Sequence, residues 1–436
     1  MSIITQQARA NRQDDLSSRA SSPASSTVAI AMAGAIALAV AMGIGRFAFT
    51  PLLPMMLHDQ VVDLPAGSWL ATANYLGYLA GAVICMILPR PWSSTTMIRL
   101  GLIATALLTL GMAAPWPALW PILRLLAGIA SAVVFVFTSG WCLGQLAHRG
   151  RPSLGATIFT GPGAGIVLSG LIASGLVWLQ VSAGVGWIVF GLLAAGLSAP
   201  IWRIIRGPDL VPASVPQQSP LESSPESPPE SPSLTPPAVA AGSGWEKTLF
   251  TLAYGIAGFG YIVTATFLPV IARAALPGSI WLDFFWPILG FGVVIGALVA
   301  ARVPNRIDPR DLLIGCYLMQ GLGIVLTLLL PNLAGFILGS LLVGLPFTAI
   351  GFFAMQDARR LQPHHPARFM GLLTAAYGLG QIAGPPLVSL LLAHSGNPAQ
   401  GFAWSLGVAS SSLLLGAGLY LIMRLTWPLG YRRMPA

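Results

Sequence analysis

The sequence predicts an all-α integral membrane protein with twelve transmembrane helices. Three observations support this: the composition, the spacing of the apolar runs and the placement of the basic residues. Of the 436 residues, 55% are hydrophobic and 8% are charged, and the mean hydropathy is +0.77. Soluble domains carry about 25% charged residues, so this chain has too little polar surface for a soluble fold. The net charge of +9 would suggest nucleic acid in a soluble protein, but here its distribution indicates membrane topology, and no nucleic-acid partner is expected.

Each apolar run is long enough to cross a bilayer, whose core of about 30 Å needs ~20 helical residues. The predicted spans are 28–57, 67–89, 97–115, 117–146, 153–179, 184–204, 247–271, 281–302, 311–330, 333–357, 367–393 and 400–425.

The basic residues fall in alternate loops. If the N-terminus is cytoplasmic, the cytoplasmic segments hold 19 of the 22 Lys and Arg residues and the outside loops hold Arg273 alone. Arg46 and Arg124 lie within spans. Basic residues are enriched in cytoplasmic loops, so the pattern predicts a multi-pass protein with both termini cytoplasmic and the lipid bilayer around it.

A Pro/Ser-rich segment divides the chain in two. Residues 207–244 contain ten prolines and eight serines, a composition that cannot bury a core and predicts disorder. The predicted organisation is a disordered cytoplasmic tail, a first six-helix bundle, a disordered cytoplasmic linker, a second six-helix bundle and a cytoplasmic tail, at 1–26, 27–206, 207–245, 246–426 and 427–436.

The two halves carry an internal repeat. "GIGRFAFTPLLP" (43–54) aligns without a gap on "GFGYIVTATFLP" (258–269), at an offset of 215. Two six-helix repeats around a central cavity are an architecture of secondary transporters, with the substrate site between the halves.

Glycines and prolines recur inside the spans. Small residues let helices approach closely, and a proline removes a backbone hydrogen bond and allows a bend. The candidate hinge or packing residues are Gly43, Gly45, Pro54, Gly128, Gly161, Pro162, Gly380, Gly384 and Pro385.

Several motifs resemble the major facilitator superfamily. "RLLAGIASA" (124–132) looks like its fourth-helix motif, and "GQIAGPP" (380–386) is similar to its Gly-Pro motif in helices five and eleven. "GIGRFAFTPLLPMM" (43–56) resembles the first-helix signature of the YbfB/YjiJ-type subgroup of bacterial transporters. The resemblance implies alternating access and a central cavity lined by helices one and four. The loop between spans two and three departs from the superfamily motif because it lacks the acidic residue.

Two arginines lie in the membrane without a visible counter-charge. Arg46 is the one charged residue of its span, and all thirteen acidic residues lie in tails, loops or span ends. Intramembrane charges usually face a protein interior or a water-filled cavity, and Arg binds carboxylate or phosphate through its planar fork. The alternative is that each arginine bonds helix carbonyls or reaches the interface. The candidate substrate-binding residues are Arg46, Asn74, Arg124, Tyr261, Tyr377 and Gln381.

We therefore expect a secondary active transporter that moves a small, anionic organic solute across the bacterial inner membrane by alternating access. A proton-driven multidrug or metabolite efflux antiporter with neutral or lipophilic substrates is the alternative, and a non-transporting receptor or a membrane enzyme is a more distant one. Asp283 is the candidate for coupling to a proton, although it could instead cap its helix. The sequence shows no catalytic set, cofactor motif or metal-ligand spacing.

Overall fold

The computed structural model describes residues 26–87, 92–206, 243–276, 278–279, 281–304, 306–362 and 366–429. Residues 1–25, 207–242 and 430–436, on which most of the predicted tails and linker fall, lie outside the described residues. The described part contains twelve helical segments that are long and apolar enough to cross a membrane, as predicted. They are α1 Thr27–His58, α2 Leu64–Ile87, α3 Ser94–Gly111, α4 Pro117–His148, α5 Leu154–Trp178, α6 Ala183–Ile201, α7 Gly244–Ala275, α8 Leu282–Ala300, α9 Pro309–Leu329, α10 Leu333–Leu361, α11 Arg368–Ala393 and α12 Pro398–Thr426.

The span count defines two sides of the bundle. Because twelve is even, α1 begins and α12 ends on one side, called here the termini side, and the α1–α2 connection lies on the opposite side. Exposed tryptophans mark both: Trp116 and Trp178 lie at the opposite side, and Trp92 and Trp245 at the termini side. Tryptophan is enriched at both membrane–water interfaces, so these positions agree with the predicted span ends.

The start of α7 lies inside the segment predicted as linker. The helix begins at Gly244, and the hydroxyl of Ser243 accepts a 3.1 Å hydrogen bond from the backbone N–H of Glu246. This is an N-cap, which satisfies one of the unpaired amides in the first turn of a helix.

Helix α1 is broken at its centre. A π-helical turn, Ala39–Ile44, precedes Arg46, and a regular helix resumes at Phe49. Pro51 has no N–H to offer the carbonyl of Phe47, which instead accepts from the amide of Thr50 at 3.1 Å. The carbonyl of Arg46 is thereby left without its usual partner. The predicted span is present, and the break inside it was not predicted.

The repeat is visible in how helices cross. A Cβ atom added to Gly43 in α1 would lie 2.3 Å from the Cα of Gly165 in α5. At the same offset of 215, the counterparts of Gly43 and Gly165 are Gly258 in α7 and Gly380 in α11. A Cβ on Gly258 would lie 2.1 Å from the carbonyl oxygen of Tyr377, one helical turn before Gly380. Only glycine fits such crossings, so the α1–α5 contact recurs as α7–α11.

A second pair of crossings follows the same rule. A Cβ on Gly128 in α4 would lie 2.1 Å from the carbonyl oxygen of Asn74 in α2, and one on Gly344 in α10 would lie 2.2 Å from that of Leu289 in α8. These contacts confirm the two six-helix pseudo-repeats that the glycine spacing predicted.

The remaining hinge candidates also lie at close contacts or inside helices. A Cβ on Gly161 would lie 2.2 Å from the carbonyl oxygen of Ala35, and one on Gly384 would lie 2.2 Å from a methyl carbon of Ile262. The others are Gly45, which faces Ser131 and Thr105, and Pro54, Pro162 and Pro385, which lie within helices. Packing accounts for the glycines, and bending at the prolines stays a prediction.

Candidate functional site

Hydrogen bonds join the two halves in the part of the bundle towards the opposite side. The hydroxyl of Thr50 in α1 donates a 2.9 Å hydrogen bond to the carbonyl of Ala265 in α7. Residue 265 is the repeat counterpart of residue 50, so the pseudo-two-fold axis passes between them. Pro269 has no N–H to offer the Ala265 carbonyl, and Thr50 therefore satisfies an acceptor that the helix itself leaves unpaired.

Two further bonds join the halves on the same side. The hydroxyl groups of Tyr75 in α2 and Thr266 in α7 lie 2.8 Å apart. The hydroxyl of Ser174 in α5 donates to the backbone carbonyl of Asp283 in α8 at 3.0 Å. In this structure the opposite side is closed by bonds between α1, α2 and α5 of one half and α7 and α8 of the other.

Arg46 lies at this junction and is 3% exposed. Its guanidinium carbon lies 4.1 Å from the ring centroid of Tyr78, 5.1 Å from that of Tyr75 and 5.3 Å from that of Phe47. Its Nη2 donates to the side-chain oxygen of Gln381 at 2.5 Å. Aromatic faces attract a cation electrostatically. Three aromatic rings and the neutral amide of Gln381 therefore stabilise the positive charge of Arg46.

Gln381 connects Arg46 to the other half of the protein. Its amide nitrogen donates to the hydroxyl of Tyr261, which is the repeat counterpart of Arg46. The ring of Tyr261 stacks on that of Tyr377, with centroids 5.8 Å apart and planes at 19°. Four of the six predicted binding residues therefore form one connected group across the pseudo-two-fold axis.

The Arg46 guanidinium has unused binding capacity. Its Nε is buried and has no hydrogen-bond partner. Within the described ranges, every ion pair involves other arginines or a histidine, and no carboxylate lies within ion-pair distance of Arg46 or Arg124. The site is electropositive and retains a free donor.

Arg124 and Asn74 act on the backbone around Arg46. The two terminal nitrogens of Arg124 each donate at 3.2 Å, one to the carbonyl of Gly45 and one to that of Arg46. Its guanidinium also lies 4.7 Å from the ring centroid of Phe49. Asn74 donates to the carbonyl of Arg124 at 2.9 Å. The sequence left open that an arginine bonds helix carbonyls, and Arg124 does so at the break in α1.

Asp283 lies near the opposite-side end of α8. Its carboxylate forms an ion pair with Arg273 at the end of α7, and both side chains are partly exposed. It also lines a small cleft between the halves, whose other lining residues are Pro51, Gly170, Ala173, Ser174, Pro269 and Trp286. Among the described residues, no group of three or more His, Cys, Asp or Glu side chains could hold a metal ion.

Sequence reasoning missed two members of the Arg46 surroundings. Phe47 follows Arg46 directly, and Tyr78 lies three residues after Tyr75, on the same face of α2. The three-residue spacing of the two tyrosines is a signal that could have identified Tyr78. Nothing in the chain order indicates that this face of α2 is turned towards α1.

On the termini side, one arginine in each half ties helix ends together. Arg99 in α3 donates to two carbonyls just beyond the end of α6, at 2.7 and 2.9 Å. Arg310 in α9 donates to two carbonyls at and just beyond the end of α12, at 2.8 and 3.1 Å. The second half adds acidic partners, since Arg310 also pairs with the partly buried Asp308 at 2.8 Å and lies 3.6 Å from the buried Glu246. Residues 64–208 contain no acidic residue, and among the described residues of the first half no equivalent network of ion pairs lies on the termini side.

Arg310 lowers the pKa of the Asp308 carboxyl. Burial alone would raise the pKa of the Asp308 carboxyl, but the side-chain and backbone hydrogen bonds from Arg310, together with its charge, hold that pKa below its ordinary value of 3.8. The carboxylate therefore stays ionised throughout the physiological range.

A family model described as "uncharacterised MFS-type transporter YbfB" matches residues 38–421. The chain belongs to this family of major facilitator superfamily transporters. No curated protein matches the sequence of this YbfB-type transporter. Its structure is similar to a mutant of the nucleoside transporter NupG, with a TM-score of 0.68 at 12% identity, covering 90% of this chain and 99% of NupG.

It is also similar to a bacterial homologue of the human lysosomal transporter Spinster in an inward-facing, unoccupied conformation. There the TM-score is 0.63 at 14% identity, covering 95% of this chain and 100% of that one. At such identities the likeness shows the fold alone. Together with the family, it confirms the predicted superfamily and its twelve-helix architecture, and identifies the chain as a multi-pass membrane transporter.

Proposed function

We propose that this YbfB-type transporter is a secondary transporter that moves a small organic anion across the bacterial inner membrane by alternating access. The supporting observation is Arg46, a buried guanidinium at the junction of the two halves with an unpartnered Nε–H and no carboxylate beside it.

The energetics favour an anionic ligand. Placing an arginine at the centre of a membrane helix costs roughly 2.5–3.5 kcal/mol on insertion scales. Aromatic faces and one amide offset part of that cost, but the amide is neutral. A carboxylate or phosphate would add opposite charge and two charge-assisted hydrogen bonds, each about twice as strong as a neutral one. Arg46 is therefore best satisfied when an anion is bound.

A second candidate is efflux of neutral or lipophilic solutes. The observation that favours it is the aromatic surface around Arg46, formed by Phe47, Tyr75, Tyr78, Tyr261 and Tyr377. The structural neighbour NupG is a transporter of nucleosides, which are neutral. A neutral probe therefore belongs in the same experiment.

Orientation and coupling complete the proposal. The termini side is the cytoplasmic side, supported by the 19 of 22 basic residues that alternate towards it. A reporter fused to the C-terminus that fluoresces only in the cytoplasm tests this.

Asp283 is the candidate proton-coupling group, because its ion pair with Arg273 lies beside the junction that must open.

The test is ligand-dependent thermal stabilisation of the purified full-length protein. The panel comprises benzoate, pyruvate, citrate, inorganic phosphate and the neutral nucleoside uridine, each tested on wild type, Arg46→Gln and Arg46→Lys. Arg99→Gln is the matched control, because it removes another arginine that bonds backbone carbonyls far from the site.

We expect one or more anions to stabilise wild type and Arg99→Gln. The shift should be weaker in Arg46→Lys, which keeps the charge but not the fork, and absent in Arg46→Gln. Stabilisation by uridine alone, equal in wild type and Arg46→Gln, would refute anion transport and favour the neutral-substrate alternative.

A further inference from the structure

We infer that Gln381 holds the place of the substrate's anionic group on Arg46 in the ligand-free protein, and that substrate binding displaces it. The inference rests on the proposed function, since it names how the anion enters that same site. It makes Gln381 a residue that sets affinity and links binding to the separation of the two halves.

One edge of the Arg46 guanidinium is only partly occupied. The Nε–H and one Nη2–H of arginine point in parallel and form a two-pronged donor. Here the Nη2 prong bonds to the oxygen of Gln381 at 2.5 Å, and the Nε prong has no partner. An amide has a single oxygen and fills one prong, whereas a carboxylate has two oxygens and fills both. Arg99 and Arg124 also leave Nε unpartnered, but their Nη2 groups bond backbone carbonyls. At Arg46 the Nη2 partner is a side chain, which a ligand can displace.

The amide nitrogen of Gln381 bonds within its own half of the protein. Its nitrogen donates to the hydroxyl of Tyr261, within the same half of the protein as Gln381. If a ligand takes the Nη2 prong, the side chain keeps that bond and remains anchored on its own half. The bond that is lost is the one that crosses between α11 and α1. Anion binding therefore replaces a contact between the halves by a contact with the ligand.

Gln381 is neutral, so it bonds Arg46 without cancelling its charge. A glutamate at this position would pair with Arg46 permanently and cancel the field that attracts an anion. Glutamine satisfies the donor without neutralising it, and a bond between two charged groups is stronger than one to a neutral amide. Exchange of Gln381 for an anion is thus favourable yet reversible, as transport requires.

The experiment compares two substitutions at one position. Gln381→Glu adds the second oxygen and the charge, so the ligand-free melting temperature should rise and stabilisation by the anion panel should disappear. The gain should be lost in the double variant Arg46→Gln/Gln381→Glu. Gln381→Leu removes the competitor, so the anions that bind wild type should bind about tenfold more tightly, because a hydrogen bond to a charged donor no longer has to be broken.

Gln320→Leu is the matched control. Gln320 is likewise buried within a span, in α9, and donates to a backbone carbonyl at 3.2 Å without contacting Arg46. Its substitution should lower stability by a similar loss of a polar contact and leave anion affinity within twofold of wild type, an error margin typical of single-site effects.

The outcomes separate this inference from the proposed function. If anions stabilise wild type but bind tenfold more weakly to Gln381→Leu, Gln381 is a direct ligand; the inference fails and anion transport stands. If no probe anion stabilises wild type or Gln381→Leu, anion transport is refuted, and the inference falls with it. If anions do bind wild type, a Gln381→Glu variant that is less stable than wild type, with no dependence on Arg46, overturns the inference alone.

Discussion

Replacement of Thr50 by valine should open the opposite side of the bundle. Valine keeps the shape of threonine and removes the hydroxyl that bonds the Ala265 carbonyl at 2.9 Å. Both residues are buried, and Pro269 gives that carbonyl no helical partner. In the closed state the carbonyl would be buried and unsatisfied, whereas in a state with this side open it would reach water.

The size of the effect follows from that difference. A buried acceptor left without a partner costs about 1–3 kcal/mol, which corresponds to a population shift of roughly 5- to 150-fold. Tyr75→Phe should add a smaller shift in the same direction, because it removes the bond to Thr266 at 2.8 Å. The two changes lie in neighbouring contacts, so their effects need not be additive.

Distances between paired spin labels measure the shift. Labels at Ala66, at the start of α2, and Ala274, at the end of α7, lie on different halves at the opposite side. The labelled protein carries Cys85, Cys142 and Cys316 replaced by alanine. We expect Thr50→Val to increase the population at long distance.

The controls isolate the carbonyl as the cause. Ser198→Ala removes a hydroxyl that bonds within α6 at 2.7 Å and should leave the distances unchanged. Adding Pro269→Ala to Thr50→Val restores an N–H to the Ala265 carbonyl and should return the distances towards wild type. A distance distribution for Thr50→Val that matches wild type would refute the reasoning.

Three further predictions follow from packing and charge. Gly380→Val should lower the melting temperature strongly and Gly418→Ala should not, because a Cβ at Gly380 would lie 2.1 Å from a carbonyl oxygen and one at Gly418 meets nothing within 4 Å; equal losses in thermal unfolding would contradict this. Asp308→Asn should destabilise the protein equally at pH 5 and pH 8. Because the pKa of Asp308 lies below 3.8, its contribution is present above that pH and is lost only as the pH falls through the lowered value, so a difference that disappears by pH 5 would refute the assignment. Arg310→Leu should destabilise more than Arg99→Leu in the same assay, since it also removes the positive charge beside the buried Glu246 and the partly buried Asp308, and the reverse order would contradict the asymmetry between the halves.

The architecture was predictable because the bilayer restricts what a sequence can do. Apolar length gave the twelve spans, and the glycine offset of 215 predicted contacts that recur in both halves. Close helix crossings need a missing side chain at a fixed height, so glycine spacing carries three-dimensional information. Span ends were less predictable, and at Gly244 a serine cap starts α7 within a segment whose composition favours a linker.

The sequence predicted four residues that the structure joins in one connected group, and their role in binding substrate stays a prediction. Arg46, Gln381 and Tyr261 were expected together because polar groups in spans seek an interior. The role of Arg124 depended on the break in α1, which needs the combined effect of a π-helical turn and Pro51. Helix rotation decides which rings face Arg46, and the apolar sequence of α2 sets that rotation only weakly.

The bonds from Arg124 to α1 have a mechanical consequence. A helix interrupted at its centre would normally flex there, and the two segments would swing independently. Arg124 donates to carbonyls on the break itself. These hydrogen bonds brace the break and fix α1 to α4. We therefore expect α1 and α4 to move together as one unit, with Arg46 held at the braced break.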